Sequence, residues 1–112
     1  MAYRLLRGTA LSVGLMACTD VRRAEISVRN ETAEALTNIV LSGSGFSDTI
    51  PTLAPGDSSL RRVLVNGESG LALRFDAPAG PVVLPAQGYL EGGFRIRVAI
   101  TADHSMTLQY LR

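Results

Sequence analysis

The sequence predicts an all-β domain of seven or eight antiparallel strands, folded as a sandwich or barrel. Two observations carry this. From residue 24 onward apolar and polar residues alternate with period two, the spacing of half-buried strands. Clusters of turn-forming residues interrupt that alternation every several positions, while no stretch shows helical periodicity between a start and a stop signal.

Each element follows from its own pattern. Ala24, Ile26 and Val28 alternate against Glu25, Ser27 and Arg29, and Asn30-Glu31-Thr32 turns the chain. Leu36 to Leu41 is a second strand, with Ile39 and Leu41 on one face and Val40 on the other, ended by Ser42-Gly43-Ser44-Gly45. Phe46 to Ile50 is a short third strand. Ala54-Pro55-Gly56-Asp57 follows as a turn in which proline sets φ and glycine permits positive φ. Ser58 to Val65 is a fourth strand with Leu60 and either Val63 or Leu64 inward, its blurred pattern marking a bulge or an edge. After Asn66-Gly67-Glu68-Ser69-Gly70, residues Leu71, Leu73 and Phe75 alternate cleanly. Val82-Val83-Leu84 is bracketed by prolines, which lack a ladder donor, and so belongs at an edge or in a loop. The last two strands form a hairpin, Phe94 to Thr101 and Met106 to Tyr110, turning at Ala102-Asp103-His104.

About 95 residues of such strands match the immunoglobulin-like sandwich in size. Asn30-Glu31-Thr32 ahead of the second strand and Leu53-Ala54-Pro55-Gly56-Asp57-Ser58 ahead of a later one also resemble the turns of Ig-like bacterial surface domains. The cysteine pair and buried tryptophan of antibody domains are absent, so the resemblance is to architecture. A transthyretin-like sandwich fits nearly as well.

The N-terminus reads differently. Arg4 and Arg7 precede an apolar run of about ten residues that closes on Leu15-Met16-Ala17-Cys18. The run is too short to span a bilayer, which takes roughly twenty apolar residues. Basic flank, apolar run, small residue and cysteine in that order resemble a bacterial lipoprotein signal, with Met16 where a small or β-branched residue is commoner. The resemblance implies cleavage after Leu15, Met16 and Ala17, leaving Cys18 as the first residue with acyl chains on its sulfur and amine. It divides the chain into a signal peptide at 1–17, a lipidated tether at 18–23 and the sandwich at 24–112. Each buried acyl methylene contributes about 0.8 kcal/mol, so two or three chains anchor durably where one binds marginally. Thr19, rather than aspartate, follows Cys18, which in Gram-negative lipoproteins favours the outer membrane over the inner.

Removing 17 of the 112 residues leaves 95, enough for one domain. Arg4 and Arg7 leave with the signal, and the other nine arginines face ten carboxylates, a formal charge of −1 with no long charge run. Nothing in that balance suggests a nucleic-acid partner. Cys18 is the only cysteine, so no internal disulfide forms and the apolar core must carry stability.

Candidate chemistry is sparse. His104, the only histidine, lies beside Asp103 in a turn with no second histidine or free cysteine to complete a zinc site. No G-x-S-x-G elbow is present, and the carboxylates Glu31, Glu34, Asp48, Asp57, Glu68, Asp76 and Glu91 form no D-x-D-x-D-G calcium loop. No catalytic residue, metal site or cofactor is therefore expected. Tyr89 and Leu90, in the glycine-flanked segment 87–93, are the candidate contact residues. The expected role is a non-enzymatic, lipid-anchored envelope protein, facing the periplasm and docking onto another envelope protein through a sheet face or an edge strand such as Ser58–Val65 or Val82–Leu84. The alternative is a module binding a small molecule, glycan or cation, with Tyr89 and loop carboxylates in a concave site.

Overall fold

The computed structural model describes residues 22–111. The expected signal, including Leu15, Met16 and Ala17, and the lipidation position Cys18 lie outside the described residues. Eight strands make up the rest: β1 Arg23–Asn30, β2 Leu36–Gly43, β3 Phe46–Leu53, β4 Ser58–Leu64, β5 Ser69–Ala77, β6 Gly80–Leu90, β7 Arg95–Ile100 and β8 Met106–Leu111. They form two four-stranded sheets, ordered β4-β1-β7-β8 and β3-β2-β5-β6.

The sandwich agrees with the sequence expectation, and the strand order chooses between its two forms. In the immunoglobulin arrangement the first two strands share a sheet. Here β1 and β2 lie in opposite sheets, the division of a transthyretin-like sandwich. One pairing departs from the antiparallel expectation: β1 and β7 run parallel, Ile26 opposite Ile96 and Val28 opposite Val98. Burial sets that register, because a slip of one residue would turn either strand's apolar set to water.

The core lies between the sheets. Ile26, Val28, Ile96, Val98 and Ile100 from one side meet Leu36, Ile39, Leu41, Leu71, Leu73 and Phe75 from the other, all essentially fully buried. Each such side chain contributes roughly 1.5–3 kcal/mol on burial. Strict alternation would not bury Leu36 together with Ile39 and Leu41. A register shift between Thr37 and Val40, with Asn38 at φ 51°, absorbs the extra residue. Asparagine tolerates that left-handed conformation better than a β-branched residue, and its Nδ2 donates to Asp76 Oδ2 at 2.9 Å.

Three strand assignments change. β3 runs on to Leu53 and takes in Pro51, which an edge strand tolerates because one row of its backbone groups has no ladder partner. In β4 Val63 points inward, whereas Leu60 and Leu64 face solvent, 52% and 49% exposed. The piece Val82–Leu84 lies at an edge as expected, but within an eleven-residue strand, β6, that includes Pro81 and Pro85 and shifts register twice against β5.

The turn at Asn30-Glu31-Thr32 is built around a buried amide. Asn30 is 0% exposed; its Nδ2 donates to the carbonyls of Glu34 at 2.8 Å and Leu53 at 2.9 Å. Its Oδ1 accepts from the Thr32 amide at 2.9 Å and the Thr32 hydroxyl at 2.7 Å. The backbone of Asn30 holds the Pro55-Gly56 turn, donating to Asp57 O and accepting from Gly56 N. Gly56 sits at φ 82°, which that turn requires. This triplet matches a glycosylation pattern, but its amide nitrogen is enclosed and both its hydrogens are committed.

Candidate functional site

The outward side of the β4-β1-β7-β8 sheet carries five of the eight arginines among the described residues: Arg23, Arg29, Arg62, Arg95 and Arg97. Alternation along β7 puts Arg95 and Arg97 outward while Ile96 and Val98 enter the core. Along β1 it does the same for Glu25, Ser27 and Arg29. Pairing then aligns them in rows: Arg62, Glu25, Arg95 and Leu111 in one, Leu60, Ser27, Arg97 and Gln109 in the next.

Glu25 sits between two cations. Its Oε2 lies 3.2 Å from Arg62 Nε and its Oε1 3.6 Å from Arg95 Nε, one on each flanking strand. Arg29 approaches Glu31 at 3.7 Å. These exposed pairs add about 0–1 kcal/mol each to stability, and they hold the guanidinium planes across the sheet. Arg97, exposed at the centre, has no ion pair among the described residues. An open depression of about 400 Å³ lies beside it, walled by Arg29, Glu31, Thr107 and Gln109. Leu60 and Leu64 add apolar area at the β4 edge.

Tyr89 occupies a different place from the one its sequence context suggests. It lies at the end of β6 rather than in a loop. Its ring meets Phe94 edge-on at 5.6 Å, and Phe94 meets Tyr110 at 6.2 Å. Its hydroxyl donates to Glu91 Oε2, and its amide donates to the Tyr110 hydroxyl at 2.8 Å. The Glu91 carboxylate accepts that hydroxyl hydrogen and repels a phenolate, so the Tyr89 pKa is pushed up to about 12. Tyr89 remains 43% exposed, but its hydroxyl is engaged by Glu91 beside its own strand end and its amide by Tyr110 of β8. Leu90 does not join it. That side chain is 0% exposed, because its position in β6 turns it into the core, and so it is no contact residue.

His104 is also not simply solvated. At φ 61° it places its ring edge-on to Phe75, 5.9 Å between centroids. Its neighbour Asp103 accepts from Thr101 and Ser105 hydroxyls, which hold its carboxyl below the usual carboxylate range. The network closes a hairpin turn. Among the described residues no three His, Cys, Asp or Glu side chains gather as a metal site, and no helix is long and apolar enough to cross a membrane.

Sequence reasoning missed the arginine face. Arg95 and Arg97 were legible as outward positions of a strand. Their alignment with Glu25 and Arg62 needs the parallel β1–β7 pairing, which joins segments some seventy positions apart and leaves no local signal.

No family model matches the sequence, and no curated protein matches it. Among solved structures, a solution NMR structure of a protein from Eubacterium rectale is similar in fold. It has a TM-score of 0.54 at 16% identity and covers 81% of this chain and 90% of that one.

Proposed function

We propose that the chain is a lipid-anchored protein of the bacterial envelope whose sandwich docks onto another envelope protein through the outer side of the β4-β1-β7-β8 sheet. Acylated Cys18 supplies membrane residence, with the outer membrane and its periplasmic side as the site, and residues 19 to 22 join the anchor to β1. The supporting observation is the composition of that sheet side: Arg29, Arg62, Arg95 and Arg97 across three strands, beside exposed Leu60 and Leu64. Arginine and apolar side chains together are what protein interfaces enrich, and arginine recurs among the residues that carry binding energy.

Four strands at ~4.8 Å and about seven residues at ~3.3 Å give a face of roughly 450 Å² in projection. That size suits a modest contact rather than an obligate one. The complementary partner surface is acidic with apolar patches. Enzymatic chemistry forms no part of the proposal.

The test is cross-linking in cells followed by mass spectrometry, on the wild type, on Cys18→Ala and on Arg97→Glu. One reproducible partner that is lost in Cys18→Ala and weakened in Arg97→Glu supports the reading. A partner retained at full yield by Arg97→Glu removes the sheet face from it. Unchanged membrane fractionation of Cys18→Ala removes the lipid anchor.

A further inference from the structure

We propose that the end of the sandwich where the chain enters is a membrane-seating end, and that its partner is the headgroup layer of an anionic bilayer. The inference rests on the lipid-anchor reading and adds an orientation to it.

Three observations converge. The first is reach. Four residue steps separate Cys18 from Arg22, which spans at most about 14 Å of extended chain. The β1 entry therefore stays within that distance of an acylated Cys18. The second is what lies at this end. The Arg22 carbonyl accepts from Val65 and that of Arg23 from Gly93, which places Leu64, Phe94, Tyr110 and Leu111 beside the entry. Phe94, Tyr110 and Leu111 wall a single shallow groove with Arg95. Aromatic rings with one polar edge partition to the membrane–water boundary, and arginines near an anionic leaflet are drawn to it.

The third is charge polarity along the strands. Arg22, Arg23, Arg62 and Arg95 occupy the entry end, against Glu25, Glu68 and Glu91 and, in the tether sequence, Asp20. The opposite end carries Glu31, Glu34, Asp57, Asp76 and Asp103, with Arg29 and, two residues from Asp76 on the same face of β5, Arg74 as the nearest cations. An anionic surface therefore repels the second end more than the first, and the arginines of the entry end are the cations it can draw in. The sandwich then stands on the bilayer with its acidic loops outermost and the β4-β1-β7-β8 face upright and open to a protein.

The chain contains no tryptophan, so single tryptophans report position without background. The acylated protein is purified, its N-terminal peptide weighed for acyl groups, and the chain reconstituted in phosphatidylethanolamine–phosphatidylglycerol vesicles containing lipids brominated near the headgroup. Leu64→Trp, Leu60→Trp and Ala102→Trp form a ladder from the entry end, along the same strand, to the far turn. Quenching strongest at Leu64→Trp, weaker at Leu60→Trp and absent at Ala102→Trp supports the proposal. So does a drop of at least about twofold at Leu64→Trp when Arg22→Glu and Arg23→Glu are added. Equal quenching of all three in an acylated chain means free tumbling on the tether, and overturns the seating alone. Stronger quenching at Leu60→Trp than at Leu64→Trp lays the sandwich on its arginine face and overturns it as well. Absence of acyl groups overturns the anchor reading and the seating together.

Discussion

Replacing Asn30 by alanine removes a side chain that uses both its donors and both its acceptor positions where water has no access. A net contribution near 1 kcal/mol per bond amounts to about 4 kcal/mol. Relaxation reduces this, since the single hydroxyl hydrogen of Thr32, released from Asn30 Oδ1, turns to the Glu34 carbonyl 2.9 Å away. The Leu53 carbonyl loses the Asn30 amide, and a buried group left unpaired costs about 1–3 kcal/mol. The expected loss is therefore about 3–4 kcal/mol, a large share of the roughly 5–15 kcal/mol that holds a domain together. The assay is urea unfolding followed by far-ultraviolet circular dichroism on the chain from Thr19. In it the midpoint should fall with an unchanged slope, and Tm should drop by roughly 12–25 °C. Thr32→Val, which keeps the shape and loses the hydroxyl, should cost about 1–2 kcal/mol. The two changes should be non-additive, because they share the Oδ1 bond. A cost below about 1 kcal/mol for Asn30→Ala at constant slope would refute the argument that this turn is a buried polar keystone.

Other perturbations test separate parts of the structure. Leu60→Ser should leave stability within about 0.5 kcal/mol while Val63→Ala costs about 1–3 kcal/mol, measured by the same unfolding curves, because only Val63 enters the core. Gly88→Ala should destabilise by about 2–3 kcal/mol. Its φ is 73°, and a Cβ there would lie 2.7 Å from Leu108 Cδ2 and 2.8 Å from the Tyr110 hydroxyl; near-wild-type stability would show that the β6–β8 approach is looser than described. In an alkaline absorbance titration of the chain from Thr19, Tyr89 should ionise near pH 12. Glu91→Gln should bring it towards the ordinary value of about 10 by removing the carboxylate that accepts its proton; an unchanged curve would discount the Tyr89–Glu91 bond. Asn38→Val should cost about 1–2 kcal/mol, since a β-branched residue is strained at φ 51°, and Asn38→Gly should be far milder.

What the sequence alone determined were the features encoded over a few residues. Period-two burial follows from backbone pleating, so the apolar faces of β1, β5 and β7 could be read directly. The Pro55-Gly56 turn and the Asp103–His104 hairpin turn could be read too, because proline and glycine act on their own dihedral angles and asparagine or aspartate on its nearest neighbours. The resemblance at Cys18 is equally local.

Tertiary structure decided everything that joins distant segments. The parallel β1–β7 pair sets the sandwich type and creates the arginine face, yet it depends on which strands bury each other and not on either strand's own pattern. The outward turn of Leu60 and Leu64 follows from Val63 taking the inward position, a choice two adjacent apolar residues leave open. Leu90 looked exposed beside Tyr89, but alternation at the end of β6 sends neighbours to opposite sides, and only the core shows which of them is inside. Asn30 read only as a turn residue, with nothing local to mark its side chain as buried. Its amide is matched by the Leu53 carbonyl, a partner 23 residues away that appears only once the two sheets close.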